Sequence, residues 1–136
     1  MKARVIVAIL VEKEKKILLG RKPDNVGPYP NTWHFPGGGV NLEDESVADA
    51  VKRELKEETS LEVAEMERVS FSEDYEPNKN GEMTHYVFLV YKVIPKTTDA
   101  KAADDIVKVQ WFTKSEVKKL SLTRPSLTFF QEIGWL

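Results

Sequence analysis

The chain of 136 residues has no cysteine and only two histidines. Without cysteine there is no disulfide scaffold, no thiolate zinc site and no cysteine nucleophile. Two histidines cannot build a three-histidine metal centre. Charge of one sign is also lacking: 20 basic residues stand against 22 acidic ones, a formal net charge of −2. No broad surface then draws a nucleic-acid backbone, so no nucleic-acid partner is expected. Long apolar runs are missing as well. The run from Val5 to Val11 spans seven residues, where a membrane helix needs about 20. It ends in charge and no small-residue cleavage site follows it. It therefore reads as a buried strand of a cytoplasmic protein and not as a signal peptide or a membrane span. What is present, 41% apolar and 31% charged residues, suits one domain over residues 1–136 with one sizeable core.

The segments alternate in character. Residues 4–12 and 17–21 read as strands joined by a turn at Glu14-Lys15-Lys16. Residues 22–39 hold four of the seven prolines and four of the seven glycines, which predicts an irregular, shaped loop. Residues 46–59 read as a helix. Ser46 is an N-cap, with Asp49 at the acidic position of a capping box. Val47, Val51 and Leu55 recur along one face, with Ala48 and Ala50 beside them. Residues 61–72 and 83–94 read as two long strands separated by the turn-rich stretch Glu76-Pro77-Asn78-Lys79-Asn80-Gly81. Residues 107–112 form a further strand. Thr113-Lys114-Ser115-Glu116 is a capping-box pattern that opens a short helix through Leu120. A final helix is expected over residues 124–133, with Pro125 in its first turn. No repeat, low-complexity tract or interdomain linker interrupts this order.

One stretch is chemically unusual. In Arg53-Glu54-Leu55-Lys56-Glu57-Glu58, the last two glutamates fall on either side of Glu54, all within an arc of roughly 100° on a helix. Like charges so placed repel each other and weaken the helix, a cost that a divalent cation reverses. Hard cations such as Mg²⁺ and Mn²⁺ take oxygen ligands, commonly one or two carboxylates plus substrate phosphates. A solvated acidic face, with Lys52, Arg53 and Lys56 as partners, is the competing interpretation. Two features weigh against it. The Gly37-Gly38-Gly39 run just before the helix permits close backbone approach. Glu45, eight residues before Arg53, can fold back from the loop onto the helix.

Gly39, Glu45 and Arg53-Glu54-Leu55-x-Glu57-Glu58-x-x-Leu61 together resemble, in spacing and chemistry, the 23-residue signature box of the Nudix (MutT-type) hydrolases. Trp33-His34-Phe35-Pro36-Gly37-Gly38 resembles that family's lead-in to the box, Leu18-Leu19-Gly20-Arg21 its second strand, and Trp111-Phe112 with the capped helix its C-terminal half. The resemblance implies an α/β fold, the Nudix-type α/β/α sandwich with a mixed curved sheet between helices. It implies metal-dependent attack of water on the diphosphate linkage of a nucleoside diphosphate derivative, using Mg²⁺ or Mn²⁺. Glu54, Glu57 and Glu58 would be metal ligands, with the Gly38 backbone and Asp105 as further ones. Arg53 and Glu45 would form a supporting ion pair. Asp104 shares the loop of Asp105, where a solvated turn is the competing interpretation of both, and Glu82 is a candidate from another loop. Ser60 departs from the family pattern, which places a glycine there to end the helix in the left-handed conformation; a strained or altered helix exit is expected.

Arg21, Trp33, Phe35, Gly38 and Gly39 are the candidate substrate contacts, with Tyr29 a further aromatic in the loop; a strand cap is the competing interpretation of Arg21, and core packing, the commoner fate of such rings, that of Trp33 and Phe35. His34 and His85 read as structural, and Ser46 as a cap and not a nucleophile. The Gly37–Gly39 run is no P-loop, because no GK[ST] follows. The expected partner is a nucleotide-type small molecule, taken by a monomer or a homodimer. Pro77 resembles a marker of ADP-ribose-cleaving members, while the short chain suits nucleoside triphosphate cleavage equally. Two alternatives remain at this point. A nucleotide-sensing binding module is disfavoured by the intact glutamates, and an RNA 5′-end pyrophosphohydrolase by the acidic balance.

Overall fold

The computed structural model describes residues 1–23, 31–104 and 106–136. β1 (Lys2–Lys13) is the centre of the fold. Its burial is continuous from Val7 to Val11. Val7, Ile9 and Val11 pack on one side of the sheet, and Ala8 and Leu10 on the other. A strand covered on both faces needs such an unbroken apolar run, which is why this segment does not alternate with polar residues.

β1 turns tightly into β2 (Lys16–Arg21), with Glu14 and Lys15 both at positive φ. Two left-handed residues in succession match the twist of a two-residue hairpin. Lys16 thus belongs to the strand and not to the turn. The segment expected to be an irregular loop contains two short strands, β3 (Trp33–His34) and β4 (Gly37–Gly39). β4 lies antiparallel to β1, with Ile6 opposite Gly39 and Ala8 opposite Gly37. Then follow α1 (Val47–Thr59), the paired strands β5 (Val63–Pro77) and β6 (Met83–Pro95), and β7 (Lys108–Thr113). The helices α2 (Lys114–Val117) and α3 (Arg124–Glu132) close the chain.

The sheet runs β3-β2-β1-β6-β5, with β4 on β1 and β7 on β2. Only the β1–β6 pairing is parallel among these ladders. α1 buries Ala50, Val51 and Leu55 on one face of the sheet. Val117, Phe129 and Phe130, from α2 and α3, bury on the other. This is a mixed sheet between helices, as the resemblance implied.

Local chemistry sets the helix ends. Ser46 caps α1 by accepting from the Asp49 N–H. Thr113 and Glu116 complete a reciprocal capping box on α2. Thr123 accepts from Ser126 N–H at the start of α3, where Pro125 fits without losing a hydrogen bond. α2 is shorter than expected, and the chain continues to Leu120 through two tight turn bonds. β5 is longer than expected. It runs to Pro77 and takes up Glu76, which composition had placed in a turn. Among the described residues, no helix is long and apolar enough to cross a membrane.

Candidate functional site

The residues between Gly37 and Ser60 form one connected polar cluster. Arg53 is its hub. Its Nε and Nη2 donate to the two oxygens of Glu45 at 2.8 and 2.7 Å, a fork-on-fork pair. Nη1 reaches Glu54 at 2.9 Å and Glu57 at 3.3 Å, and Nη2 also donates to the Gly39 carbonyl at 3.2 Å. The loop of Glu45 is therefore tied both to α1 and to β4. Asn41 N–H adds a further bond to Glu45. The Arg53 bonds, helped by that N–H, hold the Glu45 carboxyl down at about 2. The same pairing raises the Arg53 guanidinium above its ordinary value.

Glu54 and Glu58 point inward, at 9% and 5% exposure. Glu58 accepts the Gly37 N–H at 2.7 Å. Glu54 lies against Gly38, where a Cβ would stand 2.5 Å from its carboxylate oxygen. Only glycine leaves room for that carboxylate. Burial raises the Glu54 carboxyl above the usual range. The Arg53 bond opposes the rise, and the charges of Glu57 and Asp104 add to it. Glu57 is different: its side chain is 47% exposed and leans on Arg53. Among the described residues, no three His, Asp or Glu side chains converge tightly enough to enclose an ion. The reason is visible in the bonds. Glu54 and Glu57 are drawn to Arg53, and Glu58 to a backbone N–H. The donor set still fits a hard cation. It is all oxygen, it carries four carboxylates against the guanidiniums of Arg53 and of Arg4 beside Gly39, and it has a glycine cradle that a side chain would fill.

The helix exit keeps the left-handed conformation of the family pattern, with a serine in the glycine's place. Ser60 has φ 65° and ψ 8°, and its N–H bonds to the Lys56 carbonyl. The following loop docks here. Lys101 N–H caps the Thr59 carbonyl and Ala103 N–H the Glu58 carbonyl, at 2.9 and 3.1 Å. These bonds satisfy orphan acceptors at the end of α1 and bring Asp104 to its site-facing neighbourhood. Asp105 and Tyr29 lie outside the described residues.

A cleft of about 280 Å³ opens beside Gly37 and Gly38. Glu58 and Lys22 are among its polar walls, and Tyr86, Phe88 and Phe129 among its apolar ones. Phe35 lines it too. Its ring is nonetheless core, 5% exposed and packed edge-on against Phe129 and Phe130 at 5.4 and 4.7 Å. It forms a floor and not a free stacking plate. Trp33 packs against the core. Its ring packs on Phe112 at 4.9 Å, and it is not among the described cleft residues. Lys22, the residue after β2, lines the cleft, and Arg21 is not among the described cleft residues. Gly39 faces the Arg4 guanidinium and does not line the cleft. Glu82 pairs with Lys2 at 3.0 Å, away from this cluster. His34 lines the cleft with Nδ1 against the Phe35 carbonyl, and His85 stacks on Tyr75 beside Glu73.

Sequence reasoning missed Lys22, Glu76 and Arg124. Glu76 lines the cleft from β5 and is bonded by Arg124 at 2.7 Å. The alternation Ser70, Ser72, Asp74, Glu76 was the available signal that the strand continues to Pro77.

Comparison with known proteins agrees with this architecture. The family model of the NUDIX domain matches residues 1–133. A nucleoside triphosphatase NudI from Escherichia coli is 27% identical over 118 residues, covering 82% of each chain. An ADP-ribose pyrophosphatase from Methanocaldococcus jannaschii is 33% identical over 119 residues, covering 86% of this chain and 66% of its own. Among solved structures, a MutT NUDIX hydrolase from Burkholderia pseudomallei superposes with a TM-score of 0.82 at 22% identity, over 98% of this chain and 99% of that one.

Proposed function

The chain belongs to the Nudix family of hydrolases, and from that premise we propose that it cleaves the diphosphate linkage of a nucleoside triphosphate or an ADP-ribose-like nucleotide, with Mg²⁺ or Mn²⁺. One observation carries this reading. Two buried carboxylates, Glu54 and Glu58, lie against the glycine strand β4, and Glu58 with Gly37 and Gly38 lines the cleft of about 280 Å³. A polyanionic substrate can approach such a cluster only if its charge is countered.

Glu54, Glu57 and Glu58 would hold the cation, with the Gly38 backbone and the loop of Asp104 beside them. When bound, the cation supplies charge neutralisation for the phosphates and an acidified water. The chain's own residues do the rest. Arg53 holds Glu54 and Glu57 on one side of α1, and Glu45 locks Arg53 against β4. Lys22 adds a positive charge inside the cleft for a phosphate oxygen. Tyr86, Phe88 and Phe129 offer an apolar wall to the nucleoside. The relatives support both substrate groups, one being a nucleoside triphosphatase and another an ADP-ribose pyrophosphatase.

The test is a phosphate- and pyrophosphate-release screen over nucleoside triphosphates, ADP-ribose, dinucleoside polyphosphates and nucleotide sugars, with Mg²⁺, Mn²⁺ or chelator. Hydrolysis of at least one of them that disappears in chelator is expected. Full activity in chelator, or none on any substrate with either metal, overturns the proposal.

A further inference from the structure

The end of the cleft opposite Glu58 carries a charged group with no role in the reaction as described. Glu76 lines the cleft from β5. Its ladder row runs through Thr84 to Lys2, whereas Gly38 lies opposite Val7. Five strand positions separate Lys2 from Val7, about 16 Å at strand spacing. That span is comparable to a nucleotide lying with its diphosphate at Glu58 and its base at the far end.

Glu76 is not a casual surface charge. Its side chain is 21% exposed, and Arg124 Nη2 binds it at 2.7 Å and Asp74 at 2.5 Å through the same nitrogen. Two carboxylates on one guanidinium leave this end negative. A phosphate is repelled here, and a hydrogen-bond donor is attracted. Arg124 is also the first residue of α3, where a cation opposes the helix dipole. The two carboxylates offset that cost and pin the start of α3 to β5.

We propose that Glu76 is a specificity-determining acceptor for the N–H donors of the nucleobase, an exocyclic amine or a ring N–H, and that Arg124 is the positioning residue that aims it. This rests on the nucleotide reading of the same cleft. Bases present donors that ribose and phosphate lack at that distance, and a charged acceptor discriminates against an analogue lacking the donor.

The experiment removes the donor from the substrate and the acceptor from the protein in turn. ATP is compared with purine riboside triphosphate, and GTP with inosine triphosphate. Each comparison is made on the wild type, Glu76→Ala, Glu76→Gln, Arg124→Ala and Arg124→Lys, with thermal melts to confirm folding. Both kcat/KM and calorimetric Kd are measured. In the wild type, loss of the amine from at least one pair should cost about 10- to 100-fold, mostly in KM. In Glu76→Ala that penalty should vanish, and in Glu76→Gln it should shrink. Arg124→Ala should reduce it, and Arg124→Lys should restore part of it. Equal penalties in wild type and Glu76→Ala, with hydrolysis intact, overturn the Glu76 assignment and leave the hydrolase reading standing. If turnover is absent but binding persists, the Kd cycle decides the assignment by itself. A folded protein that binds none of these nucleotides overturns the Glu76 assignment, and the release screen decides the hydrolase reading separately.

Discussion

At the end of the cleft beside α1, the charged groups Glu45, Arg53, Glu54, Glu57 and Glu58 come from one short stretch of chain and meet through a single helix and its preceding loop. At the end beside β5 and α3, Arg124 meets Asp74 and Glu76 across sequence separations of 50 and 48. The first cluster is fitted to the ångström: a methyl group on Gly38 would overlap Glu54. The second is partly open to water, with the Arg124 side chain 53% exposed. Local, buried charge is suited to chemistry, because its geometry follows from the helix and its field is little screened. Distant, half-exposed charge is suited to selection, because it can vary without disturbing the reacting groups.

The largest break in this contrast should come from Glu57→Gln. Turnover is expected to fall by about 10²-fold or more, with the melting temperature unchanged, since Glu57 is exposed in the free protein. Wild-type turnover in the variant would reduce Glu57 to a solvated charge. Gly38→Ala comes next. Its Cβ would sit 2.5 Å from the Glu54 carboxylate, a clash expected to cost about 1–3 kcal/mol. Calorimetry should show a melt several degrees lower; no change would mean that Glu54 moves aside freely.

Ser60→Gly tests the exit of the same helix. Ser60 stands at φ 65°, where glycine avoids a strain of about 1 kcal/mol. The melting temperature should rise by about 2–6 °C in chelating buffer, with turnover nearly unaltered. A lower melting temperature would show that the added freedom of the unfolded chain outweighs the relief.

Glu45 gives the pH dependence of this end. Its carboxyl is held at about 2 against an ordinary 4.5. A depressed folded value means that the stabilisation is complete above the unfolded value and is lost as pH falls through the folded one. Acid titration of the metal-free protein should therefore lose this contribution between about 4.5 and about 2. Glu45→Gln should lack that component, and identical acid curves would remove the ion pair from the ledger. The smallest effect belongs to the edge strand. Phe71 is 66% exposed, so Phe71→Ser should change stability by no more than about 0.5 kcal/mol. A larger loss would reveal a covering partner.

The α1 end was legible because its information is local. Ser46, Val51, Leu55 and the spaced glutamates state a helix, its buried face and its acidic side within a few turns. The glycine run announced a close approach, although not that it would form a strand on β1. The part that local sequence leaves open has a physical cause. Whether Trp33 and Phe35 face a cleft or a core depends on Phe112, Phe129 and Phe130, which lie some 80 to 95 residues later. That Lys22 lines the cleft depends likewise on which face the end of β2 presents, because one step along a strand reverses the side-chain face.

By itself, the sequence determined the helix that carries the glutamates, the cap at Ser46 and the chemical character of the acidic site. All of these follow from near-neighbour spacing and backbone sterics. Tertiary structure alone decided that β5 continues through Glu76, that Arg124 clasps it, and that Lys22 enters the cleft. Those outcomes depend on strand register and on the seating of α3 over the sheet. Register is set by the mutual burial of faces on strands far apart in the chain, a quantity that no short stretch of residues contains.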